Sequence, residues 1–330
     1  MYTRLVRKTS VSWSAGASGS ATAEAAYRVS DLNFDNTRFD IISNNNYVGA
    51  YQSDHNRAGG RRGMVNFTSE FRGSNVADYP APEMRLLRAC GFEETAAGGA
   101  GSIYYSYALG DPHLASSSPA GILSGANLKV NNDRLQHVFS GCVGNVVFNW
   151  TAGQMPTMAF TFEGLPSGSV AEIIAPSINI SQGKTPVPVQ NYALTISGAS
   201  LGVISGQVVQ SVTYDVGNII DPRADINGTY GYSAPIITGR EPDITISIEA
   251  NATGTVDWET AFSTTAEELL VSFTHQDGGG KNVECVVSFD AYLSDYPVMS
   301  DVNGKFVYTL KMQQSVDSGA TPLTLAYAAS

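Results

Sequence analysis

Charge is scarce in this sequence. Only 15% of its 330 residues are Asp, Glu, Lys or Arg, too few for the Glu/Lys-paired exterior that long surface helices usually carry. Cysteine is scarcer still. Cys90, Cys142 and Cys285 are an odd number without metal-type spacing; this argues against a disulfide framework and reads as free, buried thiols in a reducing compartment. No stretch approaches ~18 consecutive apolar residues, so no membrane-spanning helix is expected. The N-terminal MYTRLVRKTS is not followed by the apolar core of a secretion signal. The histidines His55, His113, His137 and His275 share no metal-ligand spacing. The patterns G-x-S-x-G, P-loop and C-x-x-C are missing. Together these absences predict no catalytic residues, no metal and no cofactor. Glu93-Glu94 and Glu267-Glu268 are paired carboxylates without a visible partner. The net charge of 19 − 30 = −11 argues against tight nucleic-acid binding, which rests on neutralising phosphates.

What is present is alternation. Apolar content is 43%, and Gly is abundant at 33 residues, alongside many Ser, Thr and Asn, a mix that favours short strands and turns. In Gly144–Gly164, GNVVFNWTAGQMPTMAFTFEG, Val146, Phe148 and Trp150 alternate with Val147, Asn149 and Thr151. After a Gly/Pro break Met158, Phe160 and Phe162 alternate with Thr157, Ala159 and Thr161. This reads as a strand pair whose apolar face (Phe148, Trp150, Phe160, Phe162) is core. Asn282–Gln313 reads again as strand, irregular connection and strand, with Val283, Cys285, Val287 and Phe289 alternating.

The repetition extends further. Met64–Arg72 is a strand with Val65, Phe67, Ser69 and Phe71 on one face. It follows a polar loop, Ser43–Gly63, that carries a basic tip at Arg57, Arg61 and Arg62. Pro82–Cys90 reads as the one clear helix, with Gly91 beyond its end. Ile103–Tyr107 is a short strand whose Tyr104, Tyr105 and Tyr107 read as core. In the second half Gln207–Val216 is a strand, Gly217–Arg240 a long loop, and Asp243–Ala250 a strand with Ile244, Ile246 and Ile248 on one face. Val256–Phe262 is a helix candidate, and Leu269–Thr274 a strand. Asp301-Val302-Asn303-Gly304 and Asp225-Ile226-Asn227-Gly228 resemble fragments of a calcium loop. They lack its distal Glu and read better as β-turns. Each half therefore runs strand, long loop, strand, short helix, strand and closing strand pair, which suggests an internal duplication. The competing reading is one large β-sandwich. The dividing line is residues 1–174 and 175–330. The first part carries 13 basic and 14 acidic residues, the second 6 and 16, so nearly all the negative charge lies in the second.

The pattern G-N-V-x-F-x-W-x-A-G-x-x-P-x-x-x-F-x-F-x-G in Gly144–Gly164, with the strand–Asp-x-Asn-Gly–strand of Asp301–Met312, resembles the tail tube (major tail) proteins of tailed bacteriophages. The resemblance implies a mainly β fold. It would consist of two tandem β-sandwich or barrel tail-tube modules, each flanked by a short helix. It implies a structural subunit of a siphovirus-like tail and not an enzyme. Long loops in this family contact the neighbouring ring, which here implicates Asn44, Asn45, Tyr47, Tyr51, Arg57, Arg61, Arg62, Asp221, Arg223, Asp225, Tyr230 and Tyr232. Six modules make a ring, and at two per chain 6/2 = 3 chains suffice, so pseudo-hexameric trimers are expected. Four strands per module would close a barrel of roughly 35–50 Å, wide enough for viral DNA to pass during ejection without specific binding. An acidic or neutral wall would suit that passage, with Glu70, Asp243, Glu249, Glu284 and Asp290 as candidates. The implied partners are further copies of the chain and other tail proteins (tape measure, tail terminator, distal tail), with no membrane. The implied location is the virion tail, after assembly in the bacterial host cytoplasm. The alternative is another β-sandwich tail or adhesin-type binding protein, for which the tyrosine cluster would have to form an exposed patch.

Overall fold

The computed structural model describes residues 9–14, 25–27, 29–43, 56–72, 85–97, 104–110, 126–132, 135–167, 171–172, 179–180, 188–190, 192–199, 202–250, 262, 268–276, 283–315, 320 and 322–327. They are mainly β. Up to residue 174 the elements are β1 (Thr9–Ser14), β2 (Ala25–Tyr27), β3 (Val29–Ile42), β4 (Arg57–Glu70), helix α1 (Arg85–Ala89), β5 (Phe92–Ala97), β6 (Tyr104–Leu109), β7 (Ala126–Asn132), β8 (Leu135–Thr151), β9 (Thr157–Pro166) and β10 (Ala171–Glu172). Beyond it follow β11 (Asn179–Ile180), β12 (Thr195–Gly198), β13 (Gly202–Ser205), β14 (Val209–Asp215), β15 (Asn218–Asp221), β16 (Ile236–Arg240), β17 (Asp243–Glu249), β18 (Leu269–Gln276), β19 (Val283–Leu293), β20 (Val298–Val302), β21 (Lys305–Gln314) and β22 (Thr324–Tyr327).

Eight strands build a central antiparallel sheet in the order β3–β4–β9–β8–β14–β17–β21–β20. Period-two alternation gives it one apolar face, because successive side chains point to opposite sides. Phe67, Phe160 and Val146 stand in register across three strands, and Phe148, Tyr214, Ile244 and Met312 across four. All seven are buried. The order β3–β4–β9–β8 is matched beyond the β8–β14 junction by β14–β17–β21–β20. On each side two strands that flank a long connection come first, and a hairpin follows in reverse.

A second sheet, β13–β12–β18–β19–β22–β6–β5, covers the apolar face. Aromatic rings lock the layers together: Trp150 meets Phe273 edge-on at 5.0 Å, Tyr214 meets Phe289 at 5.1 Å, and Phe148 meets Phe92 at 6.2 Å. The leading part of β8 leaves the central sheet to pair with β7, which continues to β1 and β2. Helix α1 buries Leu86, Leu87 and Ala89 and stops at Gly91, whose φ of 85° is the left-handed conformation of a helix C-terminus.

Several expectations need correction. Arg57–Gly63 is not loop but the start of β4, paired with β3 from Ile42↔Arg57 to Arg38↔Arg62. Gly217–Arg240 contains a two-stranded ribbon, β15–β16, on either side of a turn at 222–235. The irregular connection at 294–304 contains β20. Glu94 does have a partner, since the hydroxyl of the buried Tyr107 donates to it at 2.9 Å. The three cysteines are free and buried. Both Asp-x-Asn-Gly segments are turns: Gly304 N–H donates to Asp301 Oδ1 at 2.8 Å, and Asn227 N–H to Asp225 Oδ1 at 2.9 Å. The helix candidate 256–262 lies outside the described residues except for Phe262. So do residues 82–84 of the first helix and the side chains of Tyr104 and Tyr105.

Candidate functional site

The uncovered face of the central sheet is the first feature of interest. Its residues line up in cross-strand rows. One row runs Glu70, Thr157, Asn149, Thr213, Thr245, Lys311. The next runs Thr68, Ala159, Val147, Asp215, Asp243. Apart from Ala159, Val147 and Lys311, these rows are built of hydroxyls, amides and carboxylates, with Thr213 Oγ1 donating to Asn149 Oδ1 at 3.3 Å and Asn145 Nδ2 to Asp215 Oδ1 at 2.7 Å. Glu70, Asp243 and Glu249 stand here. Asp215 and Glu163 join them, and sequence reasoning did not single these two out. Their only signal was being the polar members of alternating strands. Asp290 sits elsewhere, on β19 of the second sheet, pointing away from the buried Phe289 and Ala291. Glu284 is also on β19, and its side chain lies outside the described residues. Arg72 donates to Glu70. Lys305 Nζ and Gln210 Nε2 donate to Glu249 at 3.0 and 3.3 Å, and these bonds, the lysine's first, hold its carboxyl below the ordinary value.

The second feature projects from one end of this sheet. Beyond the Gly63↔Gly164 pair, β3 and β4 continue alone as an arm. The β15–β16 ribbon leaves from the same end, after Asp215. The two touch. Arg61 N–H donates to the Tyr230 carbonyl at 2.9 Å. Tyr232 hydroxyl donates to Asp40, whose other oxygen lies 3.6 Å from the Arg62 guanidinium. That guanidinium also lies 5.3 Å from the Tyr232 ring centroid, and Arg61 sits over Phe39 and Tyr230 at 5.4 and 5.7 Å. The close approach needs glycine, because a Cβ at Gly60 would come within 2.4 Å of the Tyr232 ring. The bond to Asp40 raises the Tyr232 pKa, since ionising the phenol would put two anions side by side. The structure thus joins Arg61, Arg62, Tyr230 and Tyr232. Arg57 is exposed further out on β4. Asp221 and Arg223 are exposed at the base of the turn, and Asp225 lies within it. Asn44, Asn45, Tyr47 and Tyr51 lie outside the described residues.

The third feature is the pair of sheet edges. Among the described residues β3 pairs only with β4, and β20 only with β21. Both edges carry exposed apolar side chains: Phe39, Ile41 and Ile42 on β3; Val298, Met299 and Val302 on β20, with Phe306 beside them. Unprotected edges of this kind are templates for pairing with another chain. The interior junction contrasts with them. At β8–β14 the Asn218 amide donates to the carbonyls of Cys90 (2.7 Å) and Gly144 (2.9 Å) and its backbone N–H to Asn145 Oδ1 (3.1 Å). Arg240 Nε then donates to Asn218 Oδ1 at 2.9 Å.

Among the described residues no group of three or more His, Cys, Asp or Glu could hold a metal ion, and no helix is long and apolar enough to cross a membrane. A family model described as phage tail tube protein matches residues 9–305, that is 305 − 9 + 1 = 297 residues of the chain. No curated protein matches the sequence.

Proposed function

We infer the function of this chain from one premise: it belongs to the phage tail tube protein family. It is a structural subunit of the virion tail, made to assemble with its own kind and with other tail components. Beyond that, we propose that three copies close a ring around a channel that conducts viral DNA, and that rings stack into the tube of a siphovirus-type tail. The tape measure, tail terminator and distal tail proteins would be its neighbours along that tube, assembled in the host cytoplasm.

One observation carries the reading: among the described residues the eight-stranded sheet has two edges without a further partner strand and one largely polar face that no described element covers. In the repeated order of strands, β8 ends the first set and β14 begins the second. β20 ends the second set, so its counterpart partner is the strand that begins the first, β3, in the next copy. Three copies then close 3 × 8 = 24 strands. Strands spaced ~4.8 Å apart and tilted by up to ~40° give a barrel roughly 35–50 Å across, which admits duplex DNA. Exposed apolar residues on β3 and β20 would be covered on closure. The lumen would carry the Thr, Asn and Ser rows with Glu70, Glu163, Asp215, Asp243 and Glu249, and Lys305 and Lys311 as the cations. Such a surface offers phosphates little to hold. The repeated strand order supports two tandem modules, 1–174 and 175–330, as the origin of this geometry.

Native mass spectrometry of the purified chain, with negative-stain microscopy of the same sample, tests the reading. The expected species is a ring of 3 × 34.9 kDa, about 105 kDa, and its stacks. Rings of six chains would sink the two-module arithmetic, and a chain that stays monomeric at high concentration would sink the ring.

A further inference from the structure

The end of the sheet opposite the arm and ribbon contains a cavity of about 230 Å³, lined by Trp150, Val189, Leu194, Val208, Gln210 and Phe273 among others. Trp150 is buried, yet its indole N–H has no hydrogen-bond partner among the described residues. A buried donor left unmade is costly, so a cavity that is mainly apolar, with Gln190, Gln207 and Ser211 also in its lining, and that holds this N–H is suited to an apolar side chain that brings an acceptor beside it. The rim is charged. Gln210 reaches Glu249, and Lys305, paired to the same carboxylate, keeps its side chain 62% exposed.

At the other end stands a segment of complementary kind. Ile226 is 99% exposed, the most open of the large apolar residues described. It is not on a loose loop. Asp225 N–H donates to the Gly231 carbonyl (3.0 Å), Gly228 N–H to the Asp225 carbonyl (3.1 Å), and Gly231 N–H to the Gly228 carbonyl (2.9 Å), while Tyr230 and Tyr232 are tied to β4 and β3. Asp225 and Asn227 flank it, the first a carboxylate for Lys305, the second an amide oxygen for the indole. Insertion would therefore order little that is not already ordered. Cavity and turn lie at opposite ends of one strand line, β14 to β15. Its thirteen residues from Val209 to Asp221 span at most about 40 Å at ~3.3 Å per residue.

We propose that the 225–228 turn is a peg and the Trp150 cavity its socket, so that Ile226 of one copy enters the cavity of a copy in the next ring. The contact is head-to-tail, and a head-to-tail contact along the channel axis propagates without closing. It rests on the ring reading above and names the surface that the second-half loop would meet.

The test uses the full chain and two variants altered at exposed positions, Ile226→Asp on the peg and Val208→Asp on the socket rim. Circular dichroism checks that each is folded. Sedimentation velocity and negative-stain microscopy then read assembly. Each variant alone should form rings and no tubes, with ring stacking weakened roughly tenfold or more, the scale of withdrawing one buried isoleucine. Mixed together, they should form two-ring stacks and stop, because Ile226→Asp retains a socket and Val208→Asp retains a peg. Tubes from either variant, or a mixture that stays as single rings, would overturn the peg and socket while leaving the ring intact. A wild-type chain that makes neither rings nor tubes overturns the ring reading and this contact with it.

Discussion

β8 and β20 hold matching places in the two strand sets of the central sheet, and their surroundings differ. β8 has β9 on one side and β14 on the other, and from Val146 to Trp150 its apolar face is buried. β20 has β21 on one side and no described partner on the other, and all five of its residues are exposed. The difference is not one of strand chemistry: Val298, Met299 and Val302 are as apolar as Val146 and Val147. It teaches that the chain supplies a neighbour where the two sets meet and none among the described residues at the other place, which the proposed ring would fill with a second copy. The internal junction, with Asn145, Asp215 and Asn218 tying β8 to β14, is then a pattern for what the open edges lack.

Mutations can break or sharpen that contrast. The largest effect on chain stability is expected at the interior strand. Phe148→Ala leaves a hole between Trp150, Phe71 and Phe92 and should cost about 3–5 kcal/mol in urea unfolding. A loss below 1 kcal/mol would show that the layer contact is not the core it looks to be. Next is the tie itself. Asn218→Ala removes the donor to the carbonyls of Cys90 and Gly144 and should cost about 1–3 kcal/mol, with no change in net charge. At the open edge the same measurement should barely move. Val298→Lys is expected within about 0.5 kcal/mol of the parent in unfolding, yet it should abolish rings in native mass spectrometry. Equal effects of Phe148→Ala and Val298→Lys on folding would erase the distinction between the strands.

The smallest effects come from protons. Glu249 has a lowered pKa in the folded chain. The stabilisation from Lys305 and Gln210 is therefore present above its ordinary pKa of 4.5 and is lost as pH falls through the lower folded value. Lys305→Met should weaken that acid-side dependence, leaving the part that Gln210 supplies, which pH-resolved thermal melts would read. Tyr232 is shifted the other way. Its bond to Asp40 stabilises the arm below the ordinary tyrosine pKa of 10.0 and is lost as pH rises through the higher folded value. Tyr232→Phe should flatten the alkaline limb, seen by hydrogen exchange in β3 and the ribbon.

Strands with one covered face were legible in the sequence. Val65 to Phe71, Met158 to Phe162, Ile244 to Ile248 and Cys285 to Phe289 announce themselves by period-two burial. Strands without a covered face were not. Arg57–Gly63 looked like loop because Arg and Gly dominate it and neither side is core; backbone pairing with β3 makes it a strand. β20 was hidden for the same reason, and β15–β16 by being four and five residues long. For the candidate site, alternation on each strand marked Glu70, Asp243 and Glu249 as possible wall residues. Which strands share a sheet depends on pairings distant in sequence. Asp290, on an equally good strand, stands in the other layer for that reason, and Asp215 came into view only with the β8–β14 register.

β22 carries a consequence in time. Its four residues are the only described link between the β5–β6 hairpin and β19 in the second sheet. β6 is complete at residue 109 and β22 begins at residue 324, so β6, already paired with β5, waits for its second partner while 324 − 109 = 215 residues are made. At the usual ~5–20 residues per second that is roughly 10–40 s. Until then β19 and β6 each keep an open edge, and Leu325 is missing from the core. A chain without these four residues leaves that edge of β6 and Cys285–Ser288 of β19 without their described partner. The second sheet is therefore held together by two stretches far apart in the sequence, and deleting 324–327 should part the β5–β6 hairpin from β19.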